Sequence, residues 1–403
     1  LRGGDTLVES LGINAFWIKL ASFIIAALLA AVSGWLYAHM SRFVSPTPFE
    51  AGMGIEYLMM AMIGGAGSII GGIVGAAIVT VLKNSIQDYL PLIAKGASGQ
   101  LEIVAFSALF ILFLQRARQG IVPYVAKFLP EPAHEPPPPA APLPRRTQPP
   151  PGQTILKVDS ALRRFGGLIA VNEVSFEVRS GEILGLIGPN GAGKSTMFNL
   201  ITGALKLSGG AVAFEGASVA DKRQYQIARA GVARTFQHVK LRPRMTLIDN
   251  VLLGTYPRTK TGFWRGALRL NREEEASAYQ EALAQLKRVG LGDKPYELAG
   301  NLPLGSQRVL EIARALAADP LLLVLDEPAA GLRRQEKLQL AELLRSLRSD
   351  HLTILLVEHD MDFVMGLVDR IVVMDFGSKL CEGEPKEIRS DARVQEAYLG
   401  AVA

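Results

Sequence analysis

Cysteine is almost absent from the sequence, because Cys381 is the one thiol among 403 residues. A disulfide within the chain is therefore excluded, and no set of cysteines is present to hold a structural zinc ion. A single thiol is compatible with a reducing compartment. The sequence also shows no basic stretch, apolar core and cleavage site of a secretory signal. It begins with Leu1, and we expect it to start partway through something longer.

A stripe of basic residues with interleaved aromatics, a common mark of nucleic-acid binding, is missing as well. The net charge is +5 and the pI is about 9.2, but the Lys and Arg residues are dispersed among acids. Several of them flank apolar segments, as positive charges flank membrane spans. We therefore predict no nucleic-acid partner.

Charged residues are scarce near the N-terminus, where three runs contain none: Leu20–Ala38, Tyr57–Leu82 and Ile103–Leu114. The first run has the ~20 residues that a helix needs to cross a bilayer, and Trp17 and Trp35 mark its ends. The third run is short for a span. We predict an all-α transmembrane segment over residues 1–128, with the lipid bilayer as a partner.

Glycines interrupt the second run. Gly67, Gly71 and Gly75 have the small-xxx-small spacing that lets helix backbones approach closely in lipid, yet glycines also permit a re-entrant break. If both ends of the chain are cytoplasmic, the number of crossings is even. Three simple spans are then excluded, so the glycine-rich run re-enters or crosses twice, or one run does not cross.

Proline marks a linker at residues 129–153, with Pro136–Pro139 and Pro149–Pro151 as its densest parts. Proline fixes φ and removes a backbone donor, so neither a helix nor a central strand persists there. We predict a semi-rigid, solvated spacer.

Residues 154–403 have the pattern of an α/β domain. Apolar runs predict strands at Ile155–Val158, Val174–Val178, Glu182–Ile187, Leu321–Leu325 and Ile354–Val357. The last two are continuous and lie between helical stretches, which is typical of buried parallel strands. Asn271 and Glu274 have capping-box spacing before a helical stretch that ends near Gly290, which we assign to a helical subdomain.

A glycine-rich turn with the pattern G-x-x-x-x-G-K-[ST] follows the third run, and its residues are Gly188, Pro189, Asn190, Gly191, Ala192, Gly193, Lys194, Ser195 and Thr196. Glycines let backbone N–H groups surround phosphates, and the following helix adds the positive end of its dipole. Lys194 suits the β- and γ-phosphates, and the Ser195 hydroxyl suits Mg²⁺. The motif predicts a P-loop NTPase without specifying which one.

Two carboxylates end the fourth run. A buried strand would deliver them to its C-terminal edge, where Asp326 suits Mg²⁺ and Glu327 suits the water that attacks the γ-phosphate. An acidic turn is an equal interpretation of the pair alone, but the P-loop favours the functional one. A second turn, Gly305-Ser306-Gln307-Arg308, precedes an amphipathic helix and predicts another anion site.

In this order the motifs resemble the ATP-binding subunit of ABC transporters over residues 154–403. Phe165 lies where that family places an adenine-stacking aromatic, Gln237 matches the Q-loop, and His359 matches the switch histidine at the γ-phosphate. The turn at Gly305 resembles the signature loop. The resemblance implies an ABC ATPase fold with a parallel core sheet, an antiparallel β subdomain and a helical subdomain.

A more specific resemblance is to the branched-chain amino-acid importers. Its residues in the ATPase are Phe165–Val171, Leu310–Leu316 and Glu396–Gly400, and in the N-terminal part Leu11–Asn14 and Ile63–Ser68. The last two resemble the coupling loop and the glycine-rich segment of the matching permease. Residues 1–128 thus resemble a partial permease domain without its upstream helices. The resemblance also implies that Val171 contacts the nucleotide.

Three positions depart from the family pattern. Pro303 and Leu304 replace the serine and the first glycine of the signature, and Arg333 replaces the Asp or Asn of the D-loop. Pro303 offers a phosphate neither a hydroxyl nor an N–H. Because ABC sites form between two ATPases, Gly305, Ser306 and Arg333 would serve the partner's nucleotide. We expect reduced contacts there rather than inactivity.

The resemblance implies an ATPase coupled to uptake of branched-chain or related hydrophobic amino acids, with urea or short amides as alternatives. The implied catalytic residues are Glu327, His359, Gln237 and Lys194, and the implied Mg²⁺ ligands are Ser195, Gln237 and Asp326. The implied partners are a second ATPase, a further permease subunit and a periplasmic or extracellular binding protein. The implied location is the inner membrane, with the ATPase on its cytoplasmic side. An ABC exporter and a regulatory subunit that binds ATP without turnover are the rival interpretations.

Overall fold

The structure, a computed structural model, describes residues 4–46, 49–93, 99–116, 120–126, 128, 136–261, 266 and 270–399. The chain divides into two compact units. Leu1–Ser22 and Pro136–Ala403 form one of them, and Phe23–Glu135 forms the other. This division differs from the three predicted segments, because α1 (Asp5–Ser10) and the second half of the linker pack on the C-terminal part of the chain.

The N-terminal part is helical. After α1 come α2 (Ala15–Ser41), α3 (Ala51–Gly64), α4 (Ile69–Ile93), α5 (Gly99–Arg116) and α6 (Ile121–Ala126). Within the described residues, α2 and the Ile69–Tyr89 part of α4 are long and apolar enough to cross a membrane. With 14 residues, α3 is shorter than the ~20 that a straight span needs. The first uncharged run is therefore one helix, as predicted, and the second is not.

The helices α3 and α4 form an antiparallel hairpin closed by the glycine-rich turn at residues 65–68. A Cβ added at Gly64 would overlap the backbone of Gly71, and one added at Gly75 would overlap the backbone of Met60. The glycines therefore do both things that the sequence left open, since they break the apolar run and let the two helices touch backbone to backbone.

Two sheets follow among the described residues. The antiparallel sheet has the order β2-β1-β4-β5 and consists of β1 (Thr154–Phe165), β2 (Leu168–Arg179), β4 (Gly209–Phe214) and β5 (Ala217–Ser218). The larger sheet has the order β10-β9-β3-β8-β7-β6 and consists of β3 (Ile183–Ile187), β6 (Val232–Arg234), β7 (Leu322–Asp326), β8 (Thr353–Val357), β9 (Arg370–Asp375) and β10 (Ser378–Gly383). All its pairings are parallel except that of β9 with β10. The predicted combination of a parallel core sheet and an antiparallel β subdomain is confirmed.

Helices cover the sheets and form a separate subdomain. They are α7 (Lys194–Ile201), α8 (Gln224–Ala230), α9 (Leu247–Leu252), a 3₁₀ helix (Leu253–Arg258), α10 (Arg272–Arg288), α11 (Leu304–Leu316), α12 (Arg334–Ser349), α13 (Met361–Met365), α14 (Pro385–Ser390) and α15 (Ala392–Leu399). One core lies between the two sheets around Phe198 of α7. A second lies on the other face of the parallel sheet and includes Leu344 of α12. A third joins α9, α10 and α11 around Leu286, which is the predicted helical subdomain.

Two local predictions need correction. The helix expected after Asn271 is present as α10, but the Asn271 side chain makes no capping bond. Its predicted partner Glu274 turns outward instead and accepts hydrogen bonds from the N–H groups of Lys260 (2.7 Å) and Thr261 (3.1 Å). The linker has no helix or strand over residues 136–150, as predicted, but it is not solvated throughout, because Leu143 is only 6% exposed.

Candidate active site

The P-loop lies between the fully buried strand β3 and the helix α7. Gly191 and Gly193 have φ values of +85° and +93°, which a residue with a Cβ rarely adopts. A Cβ at Gly193 would also overlap the carbonyl oxygen of Ala170. The predicted motif thus has the strand–turn–helix geometry that brings backbone N–H groups and a helix N-terminus to an anion.

Lys194, the first residue of α7, folds back over the loop. Its Nζ donates to the carbonyl oxygens of Gly188 (2.7 Å) and Pro189 (2.9 Å). Burial lowers the pKa of Lys194, while the charges of Glu327 and Asp326 oppose that shift. The ammonium is therefore held over the P-loop by two neutral carbonyl groups. A negatively charged phosphate oxygen can replace these carbonyls as the acceptor, because a hydrogen bond between two charged groups is stronger.

The other loop residues differ in exposure. Ala192 is buried, Thr196 is half-buried, and the Asn190 and Ser195 side chains are exposed at the mouth of the loop. An exposed hydroxyl next to Lys194 is free to ligate a metal ion on the phosphates. The exposure of Ser195 thus fits the role predicted for it.

Two carboxylates follow each other at the end of β7, as predicted. Asp326 is 8% exposed, and burial raises the pKa of its carboxyl while the nearby Arg234 opposes the rise. Arg234 in turn has its pKa lowered to about 10 by burial. Its guanidinium lies 4.5 Å from the ring centroid of Phe198 and 4.8 Å from that of Phe236. Asp326 is thus a carboxylate whose charged form gains from a bound cation.

Glu327 is the centre of the cluster. Its backbone has φ +47°, an uncommon conformation for a residue with a side chain, and its N–H donates to the carbonyl of Val357 on β8 (2.8 Å). Its Oε2 accepts a hydrogen bond from Nε2 of Gln237 (3.0 Å) and lies 3.7 Å from Nδ1 of His359. The fold therefore brings three of the predicted catalytic residues to one carboxylate oxygen.

The residue predicted as the adenine-stacking aromatic has an accessible ring. Phe165, at the end of β1, is 42% exposed, and the Arg163 guanidinium lies 4.5 Å from its ring centroid. An exposed ring of this kind can stack on a base. Val171 is fully buried in the core between the sheets. A direct contact with a ligand requires an exposed atom, so the structure does not support the contact expected for Val171.

The signature residues lie at the start of α11. The turn predicted before α11 is the first turn of that helix, with Pro303 as its N-cap residue. Gln307 donates from Nε2 to the carbonyl of Leu302 (2.8 Å). No hydrogen bond within the described residues joins Gly305 or Ser306 to the P-loop. This fits the expectation that they serve a nucleotide on another ATPase.

Two residues of the site escaped prediction as functional groups. Arg308 donates to the carbonyls of Phe236 (2.9 Å) and Gln237 (2.5 Å), so the signature helix holds the Q-loop. Glu358 is fully buried and accepts from the N–H groups of Ala329 (2.7 Å) and His359 (3.2 Å). Burial raises the pKa of Glu358. The sequence did contain a signal for both residues, because Arg308 lies on an otherwise apolar helix face and Glu358 directly follows an apolar strand.

The segment predicted as a coupling loop lies against the ATPase. Residues 11–14 connect α1 and α2, and α1 packs on α8. The carbonyl oxygen of Gly12 accepts a hydrogen bond from Nε of Arg229, the penultimate residue of α8, at 2.8 Å. A Cβ at Gly12 would lie 3.0 Å from Cγ of Pro257, which leaves little room for a larger residue.

A P-loop in front of a parallel sheet, a carboxylate pair on β7, an antiparallel subdomain and a helical subdomain together define an ATPase of the ATP-binding-cassette class. Family profiles match three parts of the chain. They describe an ABC transporter at residues 171–330, the permease component of a branched-chain amino acid transport system at 1–120, and a branched-chain amino acid ATP-binding cassette transporter at 378–403.

Similar proteins have names of the same kind. The chain is 47% identical over 251 residues to the high-affinity branched-chain amino acid transport ATP-binding protein LivG of Salmonella typhimurium, covering 62% of this chain and 98% of LivG. It is 43% identical over 249 residues to BraF of Pseudomonas aeruginosa, covering 61% of this chain and 98% of BraF. The chain therefore belongs to the ATP-binding proteins of branched-chain amino acid ABC transporters, and it joins such an ATPase to a permease component.

Solved structures agree on the fold. The crystal structure of the ADP conformation of MJ1267, an ATP-binding cassette of an ABC transporter, is similar with a TM-score of 0.56 and 32% identity. The match covers 62% of this chain and 99% of that one. A nucleotide-free ATP-binding cassette from an ABC transporter gives a TM-score of 0.55 with 31% identity, covering 61% of this chain and 99% of that one.

Proposed function

We propose that this chain hydrolyses ATP to drive uptake of branched-chain or related hydrophobic amino acids. The observation that carries the proposal is the convergence of Gln237 and His359 on Glu327, beside a P-loop and on the same chain as a permease component. The names of the relatives, which specify high-affinity branched-chain amino acid transport, support the substrate class.

Every predicted site residue except Val171 and Gln307 has a role in this proposal. Phe165 stacks on the adenine, the loop from Gly188 to Thr196 surrounds the phosphates, and Lys194 pairs with their charge. Gly305 and Ser306 contact the nucleotide of the partner ATPase. Within the described residues neither of them forms a hydrogen bond with the P-loop of its own chain, which is compatible with that division of labour.

Mg²⁺ fits the donors at the site. Ser195, Gln237 and Asp326 offer a hydroxyl, an amide oxygen and a carboxylate, the hard oxygen ligands that Mg²⁺ prefers. The Ser195 hydroxyl is exposed and can ligate a cation. Burial raises the pKa of Asp326, and a bound cation would stabilise the charged form of this carboxyl. When bound, Mg²⁺ supplies neutralisation of the charge that builds up on the phosphates.

Hydrolysis needs a proton acceptor beside the water that attacks the γ-phosphate. Glu327 accepts a proton from that water while the oxygen of the water forms a bond to the γ-phosphorus. The bond between the γ-phosphorus and the bridging oxygen breaks, which releases ADP and phosphate. Gln237 holds the carboxylate by its hydrogen bond of 3.0 Å. His359, 53% exposed, remains accessible to a γ-phosphate.

The proposal assigns parts of the chain to parts of a transporter. Residues 1–128 act as a partial permease domain, 129–153 as the linker and 154–403 as the ATPase on the cytoplasmic side. A second ATPase, a further permease subunit and a substrate-binding protein complete the assembly. The match of residues 1–120 to a permease component and the contact of Gly12 with Arg229 support this arrangement.

The test is ATP-dependent uptake into vesicles that hold this chain with its neighbouring subunits and binding protein. Labelled leucine, isoleucine, valine, urea and a short amide are offered separately, with Lys194→Ala as the inactive control. Saturable leucine uptake that this substitution abolishes is the expected result. Uptake of urea or the amide alone would replace the substrate class, and extrusion without a binding protein would favour an exporter.

One observation favours a second candidate, a subunit that binds ATP without turning it over. Pro303 caps α11 without an N–H, and the neighbouring Leu304 is 44% exposed where the family has glycine. Full nucleotide binding with no uptake of any substrate and no ATP turnover would support this regulatory role.

A further inference from the structure

The second half of the linker binds a specific surface of the ATPase. Arg258 lies at the end of the 3₁₀ helix and donates from Nη2 to the carbonyl oxygens of Leu143 and Pro144, both at 3.0 Å. Leu143 is buried there. The hydroxyl of Ser180 donates to the carbonyl of Pro149 at 3.0 Å. Proline has no backbone N–H, so a Pro-rich segment does not pair regularly with other backbone. Its carbonyl groups therefore remain available to accept hydrogen bonds from side-chain donors along its length.

Arg146 is the centre of this contact. Its backbone N–H donates to Oδ2 of Asp319 (2.5 Å), and its Nη1 donates to the carbonyls of Ala318 (3.2 Å) and Asp319 (3.0 Å). Its Nη2 donates to the carbonyl of Arg229 at 2.8 Å. A guanidinium can span two acceptors in this way because its donors form a rigid fork. One linker side chain therefore joins the last turn of α8 to the turn between α11 and β7.

Both of these elements lead to functional parts of the molecule. Arg229, whose carbonyl Arg146 holds, binds the carbonyl of Gly12 in the loop between α1 and α2 with its own side chain. Asp319 precedes β7, the strand that ends at Asp326 before Glu327. Asp319 has φ +51°, and its carboxylate, fixed by Arg146, holds that unusual turn.

We propose that the linker segment Leu143–Pro149 is a clasp on the ATPase and that Arg146 is a positioning residue for the coupling loop. The clasp fixes the end of α8, which presents Arg229 to Gly12, relative to the turn that leads into the catalytic strand. In a single chain the clasp is intramolecular, so it acts at the high effective concentration of a short tether. The proposal goes beyond the proposed function, because it holds for any transported substrate.

The chain offers a matched control for Arg146. The neighbouring Arg145 is exposed, carries the same charge and makes no hydrogen bond to any described residue. Arg146→Ala and Arg145→Ala thus remove the same side chain one position apart. Asp319→Asn is a second test, because Asn tolerates a positive φ and the substitution removes only the charge of the acceptor.

The experiment is hydrogen–deuterium exchange of the full chain in lipid nanodiscs, read at two places. In the unsubstituted chain the amide of Arg146 should exchange about tenfold or more slowly than an open proline-rich segment, since its hydrogen bond goes to a carboxylate. Arg146→Ala should speed exchange of the linker amides and also of Gly12 and Ile13, whose N–H groups bond within the α1 turn, by about tenfold. Asp319→Asn should do the same to a smaller degree, and Arg145→Ala should change neither.

Acceleration at Gly12 is the decisive result, because a purely local role of the linker would leave that loop unchanged. Acceleration of the linker amides alone would overturn the positioning role. An open linker in the unsubstituted chain, or an equal effect of Arg145→Ala, would overturn the clasp itself. The exchange measurement needs no transport, so failure of the proposed function and failure of the clasp are separate outcomes.

Discussion

At the scale of single residues, Glu327, the proposed proton acceptor, has a strained backbone and lies between two polar partners. Glu327 has a positive φ, and its carboxylate is held by Gln237 while His359 stands 3.7 Å away. Such a backbone conformation costs on the order of 1–3 kcal/mol and persists where the surroundings fix it. Here the N–H bond to Val357 and the contact with Gln237 fix it, so the strain points to a geometric requirement at this position.

Replacement of Glu327 by Gln should remove hydrolysis and keep nucleotide binding. Gln has nearly the same shape but cannot accept the proton of the attacking water, and general bases contribute about 10²–10⁴-fold to such rates. Single-turnover hydrolysis should therefore fall by at least about 100-fold, while ATP binding measured by a fluorescent analogue stays within about twofold.

The control for this substitution is Glu342→Gln. Glu342 is an exposed glutamate on α12, and the same change of charge there should leave the rate intact. Equal single-turnover rates in Glu327→Gln and the unsubstituted chain would show that another group accepts the proton.

At the scale of elements, α11 has two tasks. Its first turn carries the signature residues, and its buried face holds the Q-loop through charged side chains spaced three residues apart. Besides Arg308, Glu311 accepts from the N–H of Lys240 (2.7 Å), and Arg314 donates to the carbonyl of Lys240 (2.7 Å). The first turn of α11 and the backbone of Gln237 are therefore linked through one helix.

Arg308→Ala should impair catalysis and stability together. It leaves the carbonyls of Phe236 and Gln237 without their donor, and hydrogen bonds to a charged group contribute about 1.5–3 kcal/mol. We expect the free energy of unfolding of the ATPase portion to fall by about 2–3 kcal/mol and kcat to fall by about tenfold or more, with a smaller change in KM for ATP. Chemical denaturation and steady-state hydrolysis measure the two effects.

Arg334→Ala is the matched substitution for this experiment, because Arg334 is an exposed arginine in the first turn of α12. It should change neither quantity appreciably. If Arg308→Ala were equally silent, the grip of α11 on the Q-loop would have no energetic role.

The hairpin of α3 and α4 offers a prediction with an internal control. A Cβ at Gly75 would overlap the backbone of Met60, whereas one at Gly72 on the same helix meets nothing within 4 Å. Gly75→Ala should therefore push the helices apart and lower the thermal stability of the membrane part in detergent. Gly72→Ala should be neutral or slightly stabilising, because Ala has the higher helix propensity. A similar loss of stability in both variants would contradict the observed packing of the hairpin.

At the scale of the whole molecule, one chain contains an apolar helical part and a charged α/β part. In α2, only 6% of its most apolar 18-residue stretch is buried within the protein, and that stretch has a mean hydropathy of 2.2. Large apolar residues along this helix, such as Phe23, Leu28 and Leu29, are each more than half exposed. A surface of this composition marks contact with lipid or with another apolar protein surface, and the match of residues 1–120 to a permease component favours lipid.

The full chain should therefore stay in the membrane fraction after washing with high salt and with alkaline carbonate. Such washes remove proteins bound by charge, whereas ~20 buried apolar residues hold a helix in the bilayer. Immunoblots of pellet and supernatant measure the partition. Release of the intact chain into the supernatant would show that α2 does not lie in the membrane.

Sequence patterns alone predicted the class of the protein and most of its candidate site. Three of these features are local patterns: the P-loop, the acidic end of β7 and the buried strands. Each can be recognised within a few adjacent residues, because a buried strand requires an apolar run and a tight turn requires glycines. Glu327 was predicted in this way, whereas Gln237 and His359 were predicted only from the resemblance to ABC ATPases. The glycines of the second uncharged run, in contrast, were compatible with either close helix packing or a break in the run. The structure shows both, a break between two closely packed helices.

Which side chains meet became visible only in the folded chain. Gln237 and Glu327 are 90 positions apart, and the partners of Arg308 lie 72 and 71 positions away. Arg146 looked like one charge in a solvated spacer, but it binds carbonyls and a carboxylate 83 to 173 positions distant. A hydrogen bond between distant residues leaves no periodic trace in the sequence, since its geometry exists only after the elements that carry donor and acceptor have packed.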